Sequence, residues 1–182
     1  MSFIQPCEVP PNSLLRAYKD GAGFTDCYVA EVAGGVTQEA FIEAFYTTPL
    51  FKIERTTLQY LASRPATDAD AKQLAGGTAT KFSAWTVEGQ SPSELLLADF
   101  TGRTRSWLMA APVAGSDQAQ RTRLYFGSAV VPRSGKAGRA GQAGEKPRMG
   151  WVFHALLGFH RLYSRLLLRA ASRRIARAGI AK

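Results

Sequence analysis

The stretch from Met149 to Ala178 constrains the fold more than any other part of the chain. It contains no acidic residue, and its apolar and basic residues repeat at helical spacing. At about 100° per residue from Gly150, Arg161, Arg165 and Arg169 fall at about 20°, 60° and 100°. Val152, Leu156, Phe159, Tyr163, Leu166, Leu167 and Ala170 fall between roughly 160° and 260°, on the opposite face. The pattern predicts one long amphipathic helix over roughly 150–178. At Arg173, Arg174 and Arg177 charge spreads around the wheel. The first five or six turns are therefore expected to pack on the rest of the protein and the last two to project. The arginines also break the run of about 18 apolar residues that a membrane-crossing helix needs.

The chain's charge is concentrated in the same region. Of 182 residues, 23 are Lys or Arg and 14 are Asp or Glu, a net charge of +9. Residues 146–182 hold nine of the basic residues and no acid, so residues 1–145 carry fourteen of each sign. A nucleic-acid coat protein would spread its charge over the body, and nucleic acid is not the expected partner. Arg165, Arg169, Arg173, Arg174 and Arg177 are candidates for docking on an anionic membrane surface or an acidic partner. The plainer reading is a solvated helix face. Both histidines lie on this helix. His154, at about 40°, shares the arginine face, whereas His160, at about 280°, sits at the apolar edge. There His160 is either a hydrogen-bonded structural residue or a ligand-binding or acid–base group.

Upstream, residues 24–32 read as a strand closed by Gly34-Gly35. Thr37 caps a helix over Gln38 to Tyr46 that Pro49 ends. A second helix is predicted over Leu50 to Ser63 and a short third over Thr67 to Ala75. The period then becomes strand-like. Lys81 to Glu88 is closed by the turn at Gly89–Pro92, and Glu94 to Phe100 is apolar on both faces. Thr101-Gly102 is a hairpin, followed by Arg103 to Val113, a turn over 115–119, and Gln120 to Val131. Short turns imply an antiparallel meander. Residues 133–147, rich in Ala-Gly pairs, read as a flexible loop. The order of strand, helices, meander and long helix is α+β. The expected organisation is an extended N-terminal arm over 1–21, with Pro6, Pro10 and Pro11, and one domain over 22–182.

Chemistry-bearing motifs are few. The chain has no phosphate loop, no H-E-x-x-H and no G-x-S-x-G, and Gly21-Ala22-Gly23 precedes a strand instead of following one. Cys7 and Cys27 are read as reduced thiols of a cytoplasmic protein, and neither a metal nor a cofactor is expected. Asp99 is expected to pair with Arg105 across the hairpin. Strand alternation places Arg103, Arg105 and Trp107 on one face and Arg121, Arg123 and Tyr125 on one face. In register they would share a surface suited to stacking or phosphate contact, or simply form an outer face.

One N-terminal strand, two or three helices, a meander and a long amphipathic helix together resemble the helix-grip (START-like, SRPBCC) superfamily. The sequence Phe159-His160-Arg161-Leu162-Tyr163 is similar to the C-terminal helix of a group of uncharacterised bacterial members. About five strands are legible where the superfamily has six or seven. The resemblance implies an antiparallel curved sheet wrapped around the C-terminal helix, with an apolar cavity between them for a small hydrophobic or lipid-like ligand. Trp85, Leu97, Trp107, Met109, Phe159, His160 and Tyr163 are the expected lining. Trp107 cannot serve both this cavity and an outer basic face. An enzyme acting in the same cavity, a cyclase or hydrolase using His160 or Tyr163, is the alternative to simple binding.

Overall fold

The computed structural model describes residues 3–21, 24–53, 66–113, 120–131 and 151–179, with side chains in the last segment described from Arg161 onward. The loop over 133–147, the turn over 115–119 and the helix beyond residue 53 lie outside the described residues.

Seven strands form one antiparallel sheet. They are β1 (Gln5–Pro6), β2 (Phe24–Ala33), β3 (Lys81–Phe82), β4 (Trp85–Ser91), β5 (Glu94–Asp99), β6 (Thr104–Pro112) and β7 (Arg121–Val130). Their spatial order is β1-β2-β7-β6-β5-β4-β3. Chain order gives the meander, and β2 closes against β7 along ten residue pairs from Phe24↔Val130 to Ala33↔Arg121. Among the described residues the named helices are α1 (Arg16–Lys19), α2 (Gln38–Tyr46), α3 (Asp68–Ala75) and α4 (Trp151–Ala178). Residues 49–53 are also helical, at the start of the helix expected over Leu50 to Ser63. No helix among the described residues is long and apolar enough to cross a membrane.

The helix boundaries follow their caps. The Thr37 hydroxyl accepts from the Ala40 N–H at 3.1 Å. At α3, Thr67 and Asp70 satisfy one another's backbone N–H groups in a capping box. The strand count rises to seven through two pieces of two residues each, β1 in the N-terminal segment and β3, which the structure splits from β4 inside the single strand expected over Lys81 to Glu88. Such lengths leave no legible alternation. Gly89 does not end β4 as expected. It lies where the register with β5 shifts, so the strand bulges and continues to Ser91.

The two faces of the sheet are covered by different elements. On one, Tyr28, Ala30, Leu95, Leu97, Leu108, Leu124 and Phe126 pack with α2, α3 and α4 in the main core. The other is covered by the N-terminal segment, with Val9 and Leu15 against Cys27, Leu96, Trp107 and Ala129. This segment is thus a packed layer, contrary to the extended arm expected from its prolines. Pairing with β2 and burial of Leu15 hold it.

Along α4 the apolar stripe outlasts the sequence reading. Ala171, Ser172 and Ile175 are fully buried, so the turns beyond Arg169 do not project. Small residues at 171 and 172 and one isoleucine suffice because α2 packs against the same helix.

Candidate functional site

Pairing arithmetic decides which side chains meet the helix layer. Leu97 opposes Ser106, and Leu96 opposes Trp107, so Leu97 and Trp107 lie on opposite faces. Trp85 opposes Asp99 and Val87 opposes Leu97, which puts Trp85 on the face of Leu97. The helix-facing side of β6 and β7 near the 99–104 hairpin carries a cross-strand pair of serines, Ser106 and Ser128. Farther along, the same positions hold Leu108, Ala110, Leu124 and Phe126.

Above the serines lies a cavity of about 670 Å³. The sheet contributes Ala84, Trp85, Ser106, Phe126 and Ser128. Phe45 of α2 and Leu50, Phe51 and Ile53 close one side, while Tyr163, Ser164, Leu166 and Leu167 of α4 close another. Phe45, Tyr46, Phe51 and Phe82 form an aromatic cluster beside it, with ring centroids 4.8–6.3 Å apart. Ile53, Phe100, Leu162 and Leu166 line the cavity yet remain exposed, marking an apolar mouth.

Of the expected lining, Trp85 and Tyr163 border the cavity. Leu97 is on the correct face but is buried in the core beside it. Trp107 and Met109 are on the wrong face. Trp107 lies fully buried under Leu15, and its indole N–H donates to Glu94 Oε2 at 2.7 Å. The side chains of Phe159 and His160 lie outside the described residues, as does that of His154. Sequence reasoning missed Ser106, Ser128, Ser164 and Phe126. For Ser106 a signal was available, since pairing outward from the Thr101-Gly102 turn sets it opposite Leu97.

The polar atoms of the cavity divide into two groups. Ser128 donates to Asp26 Oδ1 at 2.5 Å, and the Ser106 and Tyr46 hydroxyls lie 3.4 Å apart. Asp99 accepts from the Thr101 hydroxyl and from the N–H groups of Arg103 and Thr104. Burial pushes its carboxyl up, but these hydrogen bonds outweigh burial and hold it below the usual carboxylate range. By contrast, Trp85 Nε1 and Ser164 Oγ are buried and have no hydrogen-bond partner among the described residues.

Asp99 does not pair with Arg105, because the turn backbone has captured its oxygens. Arg105 Nε instead meets Glu88 Oε2 at 2.7 Å and Tyr18 Oη at 3.0 Å, on the face covered by the N-terminal segment. The predicted basic–aromatic surface therefore fails as a binding platform. Arg121 and Arg123 are both paired with Glu31 at 2.9 Å, and Trp107 is covered.

The arginines of α4 behave differently. Arg161, Arg165, Arg169, Arg173 and Arg177 are exposed at four-residue spacing. Two of them stack, Arg161 over Phe24 at 5.4 Å and Arg165 over Tyr28 at 5.2 Å. Arg174 leaves this row and reaches the Thr47 carbonyl at 3.5 Å. Among the described residues, no carboxylate lies within 4.0 Å of the row. Nor do three His, Cys, Asp or Glu side chains converge as a metal site among the described residues.

Fold and site together define an α+β protein whose antiparallel sheet and C-terminal helix border an apolar cavity. Compared with protein-family models, curated proteins and solved structures, the chain matches none.

Proposed function

We propose that this is a helix-grip protein that binds a small, largely apolar molecule between its sheet and C-terminal helix. The observation that carries the reading is the cavity of about 670 Å³, with its aromatic and aliphatic walls and exposed apolar mouth. Its volume lies within the range of small-molecule sites, roughly 300–1,000 Å³. The order of elements supports the family reading, since the long helix follows the last strand and lies over β2 and β7. Native mass spectrometry of freshly purified protein tests it. A reproducible excess mass that disappears on denaturation is the expected result. A bare polypeptide mass, together with no uptake of the neutral apolar dye N-phenyl-1-naphthylamine, would remove the reading.

A second reading is favoured by the arginine row, which meets no carboxylate among the described residues. Leu162 and Leu166 are exposed beside it, 56% and 43%. Cations flanked by aliphatic side chains suit the interface of an anionic bilayer. Sedimentation with phosphatidylserine vesicles should weaken as salt rises and be lost when Arg169, Arg173 and Arg177 are changed to Gln. Equal sedimentation with neutral vesicles would dispose of it.

A further inference from the structure

We infer that the cavity selects a neutral molecule carrying a hydrogen-bond acceptor, such as a ketone or ester, read by Trp85 Nε1 and Ser164 Oγ. The inference rests on the binding reading above and adds the chemical class of the ligand. An indole N–H can only donate, so the group it lacks is an acceptor. A serine hydroxyl can donate to the same or a neighbouring oxygen. Both atoms are buried and unpartnered, and both residues line the cavity. Leaving such a group unsatisfied costs about 1–3 kcal/mol, so an acceptor placed there is favoured over hydrocarbon. Ser164 makes the point sharply, because a helical serine usually returns its hydroxyl to a carbonyl of the preceding turn. Ser172, on the same helix, does so to Leu168 at 2.8 Å.

Charge narrows the class further. Only two charged residues line the cavity among the described residues, Asp99 and Arg105. Asp99 spends its oxygens on the 101–104 turn, and the Arg105 guanidinium is held by Glu88 and Tyr18 on the far side of the sheet. A carboxylate ligand would find no free cation there, and burying an unpaired charge is costly.

Three probes of equal chain length separate the outcomes: 2-tridecanone, tridecane and tridecanoate at pH 8, measured by displacement of N-phenyl-1-naphthylamine. The ketone should bind roughly tenfold tighter than the alkane, the ratio expected for one satisfied buried donor. Tridecanoate should bind more weakly than the ketone. Trp85→Phe should abolish the ketone–alkane difference while leaving the alkane affinity within about twofold, and Ser164→Ala should reduce that difference. Equal binding of ketone and alkane, or an undiminished preference in the double variant, would overturn the inference and leave the apolar-cavity reading standing. Preference for tridecanoate would also overturn it. If none of the three displaces the dye, the cavity reading itself fails. Unchanged circular dichroism of both variants guards against misfolding.

Discussion

Gly127 lies at the middle of β7, between Cys27 of β2 and Trp107 of β6, on the face covered by the N-terminal segment. Alanine there would place its Cβ 2.4 Å from Leu15 Cδ2, 3.0 Å from the Asp26 carbonyl oxygen and 3.1 Å from Trp107 Cε3. The carbonyl is fixed in the β2–β7 ladder, and the indole is tied to Glu94. Leu15, fully buried, must therefore yield. Squeezing a methyl into such a site costs about 1–3 kcal/mol. Expelling Leu15 altogether would cost a similar 1.5–3 kcal/mol, roughly. The loss of unfolded-chain freedom from Gly to Ala returns about 0.4–1 kcal/mol where the backbone is unstrained. A net loss of about 1–2 kcal/mol follows. At about 2–4 °C per kcal/mol for a chain of this size, Tm should fall visibly. Urea unfolding followed by far-ultraviolet circular dichroism measures it, and Leu15→Ala supplies the control. That change alone should cost about 2–5 kcal/mol. In its background, however, the alanine at 127 occupies vacated space, so Gly127→Ala should become neutral or stabilising. If the two changes add within about 0.5 kcal/mol, the N-terminal segment does not rest on Gly127, and the two-layer covering of the sheet is wrong.

Glu94 Oε2 accepts from both Trp107 Nε1 and the Leu14 N–H, at 2.7 and 2.8 Å. Glu94→Ala strands both donors and should cost about 2–6 kcal/mol, whereas Glu94→Gln, whose amide oxygen can still accept both, should cost far less; equal losses in denaturant titration would contradict this. Asp99 has its pKa depressed in the folded state, so its contribution is present above the unfolded value of about 3.9 and disappears as pH falls through the folded one. Asp99→Asn should accordingly lower stability at pH 7 and lose its effect near pH 2, and a pH-independent difference would refute the assignment. The Cys7 and Cys27 sulfurs lie 3.1 Å apart; the hydrogen bond between them holds Cys7 below the usual thiol range, and that bond together with burial pushes Cys27 up. With glutathione disulfide, Cys7 thiolate should displace one glutathione and Cys27 the second, oxidising two thiols and reducing one disulfide. Intact mass should show two hydrogens lost and urea titration a gain of roughly 3 kcal/mol, while a persistent glutathione adduct would show that Cys27 cannot close the bond.

The long-range plan was legible because periodicity and turn chemistry carried it. Gln38–Tyr46 matches its predicted helix, and β5, β6 and β7 match within about two residues, whereas β4 starts four residues later and ends three later than expected. What failed was the choice of sheet face. Alternation within β6 separates Arg105 and Trp107 from Ser106 and Leu108, but no single strand reveals which set meets the helices. The helix-grip resemblance implies Trp107 as a cavity wall, but its indole is buried under the N-terminal segment instead. That covering was hidden because Pro10 and Pro11 read as an arm while Leu15 carried the burial. Glu94 was similarly opaque: its partners are Leu14, 80 residues upstream, and Trp107 on the next strand. Pairing, not composition, makes it an anchor.

The cavity lies where the helix layer is thin and the sheet surface is small. α4 covers β2 and β7, α2 reaches β6, and α3 sits at β3. Beneath the remaining gap the paired positions are Ser106 and Ser128, and larger side chains resume one step farther along each strand. Protein interiors are close-packed, and an empty apolar void costs about 24 cal/mol per Å³. Applied to about 670 Å³, that rate gives about 16 kcal/mol as an upper bound for a sealed void. A penalty of that size would consume the roughly 5–15 kcal/mol stability of a typical domain. The space must therefore be filled or open. Buried water needs about three hydrogen bonds apiece, and the unsatisfied atoms here, Trp85 Nε1 and Ser164 Oγ, are too few to hold water throughout that volume. On the binding reading proposed above, an apolar occupant entering past Ile53, Phe100, Leu162 and Leu166 would remove that cost, and acceptor oxygens on it would meet Trp85 Nε1 and Ser164 Oγ.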